Sequence, residues 1–212
     1  MLILCISFFA LYIFTILYFI VNVFPKKFDI DKDKLNKKGF GLVRRPTGGR
    51  AVLHADEITY AVITKIPKNK SAQDLYRDIH ILLLEVFQGL KPKDLGFEKS
   101  QPNLNEFYKN EPGLSVSCFA SSARYEIEFH GRKVVGSAQR VFGNILLQHG
   151  SILLDSGHEQ LAEVSKINND KKREILQKYI LEHSATLTES CGRKINYDEV
   201  SESIHNLLNQ KY

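Results

Sequence analysis

The sequence predicts an α+β fold: a mixed or antiparallel sheet flanked by helices and preceded by a hydrophobic N-terminal helix. Three observations carry that prediction. Segments with two-residue alternation crowd the middle of the chain. Segments with apolar residues at helical spacing lie before and after them. The first 25 residues contain no charged side chain.

That first segment, residues 1–25, is uncharged and mostly apolar and stops at Pro25-Lys26-Lys27. About 20 apolar residues rising 1.5 Å each would span a hydrocarbon core of roughly 30 Å. A basic start and a small-residue cleavage site are both missing, so it does not read as a signal peptide. Two readings remain open: a helix anchoring the chain in a membrane, or a frameshifted stretch ahead of the true domain. With lysines only after the segment, the first reading places the remaining domain in the cytoplasm.

The next elements follow in order. Residues 40–45 form a short strand ending at a Pro-Thr-Gly-Gly turn. Residues 57–65 alternate, with Ile58, Tyr60 and Val62 on one face. Ser71 caps a helix to about Leu90, with Leu75, Ile79, Leu82, Leu83 and Val86 at helical spacing. Residues 91–113 read as a loop around one short strand. Strands at 114–119, 124–130 and 133–140 come next, the last two joined by a tight turn at His130-Gly131. Residues 144–155 give a further strand, kinked at Gly150. Helices at 159–164, 170–182 and 198–208 complete the chain. The strands-then-helices order is what gives the α+β class.

Composition narrows the function. At 212 residues, 43% hydrophobic and 25% charged, the chain suits one globular domain. A net charge of +5 is mild and suits an acidic partner by steering encounter. No basic stripe with interleaved aromatics occurs, so no nucleic-acid partner is expected. The cysteines, Cys5, Cys118 and Cys191, are odd in number and sparse, which suits a reducing compartment rather than a disulfide framework. Asp29-Ile30-Asp31-Lys32-Asp33 imitates a calcium loop but has Lys34 at the sixth position and Phe40 at the twelfth, so no metal is expected.

Three stretches carry candidate chemistry. In Arg44-Arg45-Pro46-Thr47-Gly48-Gly49-Arg50-Ala51-Val52-Leu53-His54, paired glycines let backbone N–H groups approach a ligand and arginines supply donors to a phosphate or carbonyl. A Gly-Gly between arginines is also a common hairpin turn. Cys118 is either a small core residue or a nucleophile. Lys133, one hairpin later, strengthens the second reading without deciding it, because an ammonium near a thiol stabilises the attacking thiolate. In Leu147-Gln148-His149-Gly150-Ser151-Ile152-Leu153-Leu154 the apolar residues suit either a core strand or the wall of an acyl channel.

In this order, Arg44 to His54, Cys118-Phe119, Gly131-Arg132-Lys133-Val134-Val135-Gly136-Ser137-Ala138-Gln139-Arg140 and Gln148 to Leu153 resemble the biotin and lipoate protein ligase superfamily. The likeness is nearest to its cysteine-dependent octanoyltransferases from Gram-positive bacteria. It covers about residues 28–212 and implies a biotin/lipoate ligase-like catalytic domain over that span. The resemblance implies that octanoate arrives as a thioester on acyl carrier protein. It further implies that Cys118 takes the octanoyl group as an acyl-enzyme with Lys133 as its catalytic partner. A lysine of a lipoyl domain, such as the glycine cleavage H protein, then receives it. Substrate contacts carried over by position are Arg45, Thr47, Gly48, Gly49, Ala51, Val52, His54, Gly136, Ser137, Ala138, Gln148 and His149. No cofactor is implied for a transferase.

Departures from the pattern keep other functions in view. The ligases carry an Asn-Asp pair before the motif lysine, where this chain has Arg124-Tyr125-Glu126, which favours transferase over ATP-dependent lipoate–protein ligase. An octanoyl amidotransferase between lipoyl domains shares the same motifs. The family also has a strand and a helix ahead of the arginine-glycine loop, where this chain has its apolar segment. That substitution predicts an N-terminally truncated domain and keeps an inactive fragment as a third reading.

Overall fold

A computed structural model describes residues 6–12, 19–21, 30–48, 51–97 and 125–211, the first two stretches by their backbone. The strands are β1 (Ile6–Tyr12), β2 (Phe19–Val21), β3 (Gly41–Val43), β4 (Glu57–Lys65), β5 (Leu95–Phe97), β6 (Ile127–Phe129), β7 (Arg132–Lys133), β8 (Val135–Phe142) and β9 (Ile145–Leu153). The helices are α1 (Lys32–Lys38), α2 (Ala72–Gln88), α3 (Asp170–His183), α4 (Leu187–Cys191) and α5 (Tyr197–Lys211). A four-stranded sheet runs β1-β4-β9-β8, a three-stranded one β5-β6-β7, and β2 pairs with β3. The β2–β3 pair is parallel and the others antiparallel, so the predicted mixed α+β architecture is what forms.

The expected hydrophobic N-terminal helix is not there. Ile6–Tyr12 is a strand laid antiparallel along β4, and Phe19–Val21 pairs with Gly41–Val43. Among the described residues no helix is long and apolar enough to cross a membrane. The physical reason is that an uninterrupted apolar run has no period, and suits a strand as well as a helix. Its Phe, Ile, Tyr and Val content favours the strand, and β4 offers a hydrogen-bonding edge. The edge position beside β4 is therefore filled by β1.

β4 forms over the predicted residues, with Ile58, Tyr60 and Val62 buried on one face. That face packs against α2, whose Ile79, Leu83, Val86 and Phe87 join Ile152 of β9 and Val200 and Ile204 of α5 in the main core. Each such side chain contributes about 1.5–3 kcal/mol by burial. Ser71 caps α2 as predicted, through a reciprocal pair: its hydroxyl accepts from the Asp74 N–H and the Asp74 carboxylate accepts from the Ser71 N–H. A second core gathers Leu35 of α1, Ala51, Leu53, Leu161, Leu176 and Ile180.

Three local readings change. The predicted helix at 159–164 is a 3-10 turn, His158–Ala162. The predicted strand 133–140 is divided: Lys133 belongs to β7 and Val135 onward to β8. Val134 is the switch, its N–H bonding Ile127 in one sheet and its carbonyl receiving the Leu153 N–H in the other. β9 does not kink at Gly150; its register with β4 and β8 continues through that residue. The turn at His130-Gly131 is as expected, both residues having positive φ (50° and 74°).

Candidate active site

Lys133 sits on a strand fixed from both sides. β6 pairs with it in register, Glu128 opposite Lys133, and the Lys133 carbonyl accepts from the Ala185 N–H at 2.9 Å. The side chain is 3% exposed, and its Nζ lies 2.8 Å from Oε2 of Glu126, itself 4% exposed. A buried ammonium needs such a partner, because desolvation costs several kcal/mol per ion. Cys118, the expected nucleophile, and the strand predicted around it lie outside the described residues, as do Gly49 and Arg50.

The remaining predicted residues fall on both faces of β8 and β9. Ser137 and Gln148 point toward α2. His80 Nδ1 is 2.7 Å from the Tyr125 carbonyl, which can only accept, so Nδ1 carries the proton. Burial lowers the His80 pKa to about 4, which keeps the ring neutral and Nε2 an acceptor. Ser137 therefore donates to Nε2, at 2.8 Å. Tyr60 donates to Ser137 at 2.5 Å, and Gln148 Nε2 donates to Tyr60 at 2.9 Å. Gln139 Nε2 donates to Gln148 Oε1 at 2.8 Å. Burial, the largest effect, pushes the Tyr60 pKa up to about 12, so its proton stays available for donation. Gly150 makes this line of bonds fit: a Cβ there would stand 2.6 Å from both the Gly136 carbonyl and Ser137 Oγ, and 2.7 Å from Tyr60.

On the opposite face lie Gly136, Ala138, His149 and Ser151, with Gly136 opposite Ser151 and Ala138 opposite His149 in the ladder. The arginine-glycine loop comes down on them. Thr47 Oγ1 is 2.6 Å from His149 Nε2, and Arg140 donates to the Pro46 carbonyl at 2.5 Å. Gly48 has φ +82°, a conformation glycine takes without strain. Burial, then the nearby Arg45 and His54 cations, lower His149 to about 4. His54 Nδ1 is 2.5 Å from Glu57 Oε1, with Ser151 Oγ at 3.3 Å. Ala51 and Val52 are core positions: Ala51 packs in the second core and Val52 against Leu153.

Sequence reasoning missed Glu126, Tyr60, His80 and Glu57 as polar partners of the site. Two signals were present. His80 lies one residue after Ile79 on the apolar stripe of α2, and Glu126 and Glu128 alternate around the apolar Ile127. Both patterns put ionisable groups where burial was expected. Among the described residues, no group of His, Cys, Asp or Glu is placed to hold a metal ion.

A family model described as the lipoyl protein ligase A/B catalytic domain matches residues 24–208. The chain belongs to that family. Within it, the chain is 34% identical over 178 residues to an octanoyltransferase LipM of Kyrpidia tusciae, a match covering 83% of this chain and 64% of that protein. It is 35% identical over 182 residues to an octanoyltransferase LipM of Geobacillus kaustophilus, covering 84% and 64%. The chain thus spans about 64% of the length of these curated relatives. Among solved structures, a bipartite lipoate protein ligase of Thermoplasma acidophilum aligns with TM-score 0.68 at 17% identity, covering 92% of this chain and 67% of that one. A lipoate-protein ligase A bound with ATP aligns with TM-score 0.66 at 18% identity, covering 92% and 68%. At those identities the solved structures establish the shared family fold.

Proposed function

We propose that the protein is an octanoyltransferase of protein lipoylation, with Cys118 as nucleophile and Lys133 as its catalytic partner. The observation that carries this reading is the Lys133 ammonium, buried and fixed by Glu126, on a strand clamped from both sides. The relatives named octanoyltransferase LipM support it. In the first half-reaction the Cys118 thiolate attacks the carbonyl of octanoyl-acyl carrier protein, and the carrier thiolate leaves. In the second, the amine of a lipoyl-domain lysine, such as that of glycine cleavage H protein, attacks the enzyme thioester. An amide forms, the amine loses its proton, and the cysteine sulfur is released. Lys133 stabilises the thiolate as it forms and as it leaves. The loop residues Arg45, Thr47, Gly48 and Gly49, with Ala51, Val52 and His54, and the strand residues Gly136, Ser137, Ala138, Gln148 and His149, shape the substrate pocket. The polar and glycine residues on the loop face contact substrate, while Ala51 and Val52 pack beneath the loop and Ser137 and Gln148 support the wall from behind. The catalytic unit spans about residues 28–212.

A thioester donor is already activated, so transfer needs neither ATP nor magnesium. The chain incubated with octanoyl-carrier protein is expected to gain one octanoyl group by intact mass, and to pass it to a lipoyl domain without nucleotide. Cys118→Ala is expected to abolish the adduct. Attachment of free octanoate or lipoate that depends on ATP would make the protein a ligase, and an adduct persisting in Cys118→Ala would place the nucleophile elsewhere.

A further inference from the structure

The pairing of Lys133 poses an electrostatic problem. A carboxylate 2.8 Å from the ammonium offsets its field, and a neutralised lysine stabilises a thiolate less. Glu128, opposite Lys133 on the neighbouring strand β6 and 7% exposed, adds a second acidic group. A lysine recruited for its charge alone would stand better without such neighbours. The arrangement makes sense if position is what the lysine must be given.

The elements around Glu126 serve that end. Tyr125, the residue before it, has φ +69°, a left-handed conformation that costs about 1 kcal/mol or more outside glycine. The carbonyl of that strained residue is held by the His80 Nδ1–H from α2. Tyr76, one turn earlier on α2, hydrogen-bonds the Glu126 side chain. Helix, strained turn and carboxylate together define where the Lys133 ammonium rests. Among the described residues, the charged and titratable groups facing the pair are Glu128, Tyr76, Tyr60 and His80.

We infer that Glu126 is a positioning residue for the transfer reaction, holding the buried Lys133 ammonium in its working place and held in turn by Tyr76 and the His80-clamped turn. This rests on the proposed cysteine–lysine reading. Without Glu126, the ammonium buried to 3% exposure loses its partner at 2.8 Å, and desolvation then favours a shift of its place or the loss of its charge. The sign of one measurement decides between positioning and simple neutralisation.

The measurement is alkylation of Cys118 by iodoacetamide against pH, on the full chain, read by intact mass. Lys133→Ala is expected to raise the alkylation midpoint by about one pH unit or more. Glu126→Gln is expected to raise it similarly, the double variant to go no higher, and Glu126→Asp to fall between. A Glu126→Gln midpoint at or below that of the wild type overturns the inference, because the carboxylate would then merely mask the lysine. If Lys133→Ala itself leaves the midpoint unmoved, the cysteine–lysine reading falls and takes the inference with it. If only Lys133→Ala moves it, the inference alone falls. Should Glu126→Gln not fold, Tyr76→Phe decides, since it removes a hydrogen bond to Glu126 and no formal charge. An upward shift smaller than that of Lys133→Ala supports the role, and no shift or a downward one overturns it.

Discussion

On the α2 side of the four-stranded sheet, Gln139, Gln148, Tyr60, Ser137 and His80 hydrogen-bond one another in a single direction and end on a backbone carbonyl. On the other side, His149 and Ser151 of the same β9 strand reach out to a loop threonine and to His54. Neighbouring residues thus serve two designs. The inner line is closed, and its partners are supplied by helix, sheet and the turn at Tyr125. The outer contacts depend on a loop, and a loop is where a ligand is accommodated. The strand β9 therefore carries residues tied to helix and sheet and residues tied to a loop in alternation, and a motif written as a string conceals which is which.

The sharpest way to break this contrast is at Gly150. An added Cβ would meet backbone and ring atoms at 2.6–2.7 Å on the inner face, where little can give. Gly150→Ala is expected to destabilise the fold by about 3 kcal/mol. Denaturant unfolding would show a lower midpoint at unchanged slope. An alanine variant as stable as wild type would mean that the inner face adapts, and the contrast would fail.

A comparable effect comes from acid. The His80 pKa is held near 4 by burial, below the ordinary 6.5, so the unfolded chain binds a proton that the folded one refuses. Stability is then complete above about pH 6.5 and is lost as pH falls toward 4, by up to about 3 kcal/mol. His149 works in the same direction over the same window, from burial and the nearby Arg45 and His54, but it is less fully buried than His80 and solvent screens part of the effect. Urea midpoints at roughly pH 7 and pH 4.5 should therefore converge more in His80→Gln than in His149→Gln. Equal flattening in both would put the two faces on the same footing.

How much of this was legible in the sequence follows from period and range. β4 and α2 were legible because alternation and a Ser71 cap are local signals. α1, with seven residues, and α4, with five, are too short to show a helical period. β1 was misread because an apolar run without alternation leaves the choice to its partner, and β4 is 45 residues downstream of the end of β1 (57 − 12). In the site, the motif residues were named one by one, yet Thr47 meets His149 across 102 positions and Tyr60 meets Ser137 across 77. No local pattern encodes such pairs. Alternation puts Tyr60 on one face with Ile58 and Val62, but its hydroxyl acquires a role only when Gln148 and Ser137 arrive from other strands.

The smallest expected effect tests the outer face itself. Thr47→Val removes the hydroxyl 2.6 Å from His149 Nε2 and keeps the shape of the side chain. The position is half-buried, so water can replace part of what is lost, and one such bond is worth about 0.5–1.5 kcal/mol. The loop keeps its other tie, Arg140 to the Pro46 carbonyl. The thermal midpoint should accordingly drop by about 2–4 °C at most. Transfer should respond differently. A loop released from His149 samples more positions, so the half-saturating concentration of the acyl donor should rise several-fold while turnover at saturation changes little. That split is the signature of a residue that shapes the pocket without holding up the sheet. A stability loss matching that of Gly150→Ala would make Thr47 a scaffold residue. An unchanged half-saturation would remove the loop–His149 contact from the substrate pocket.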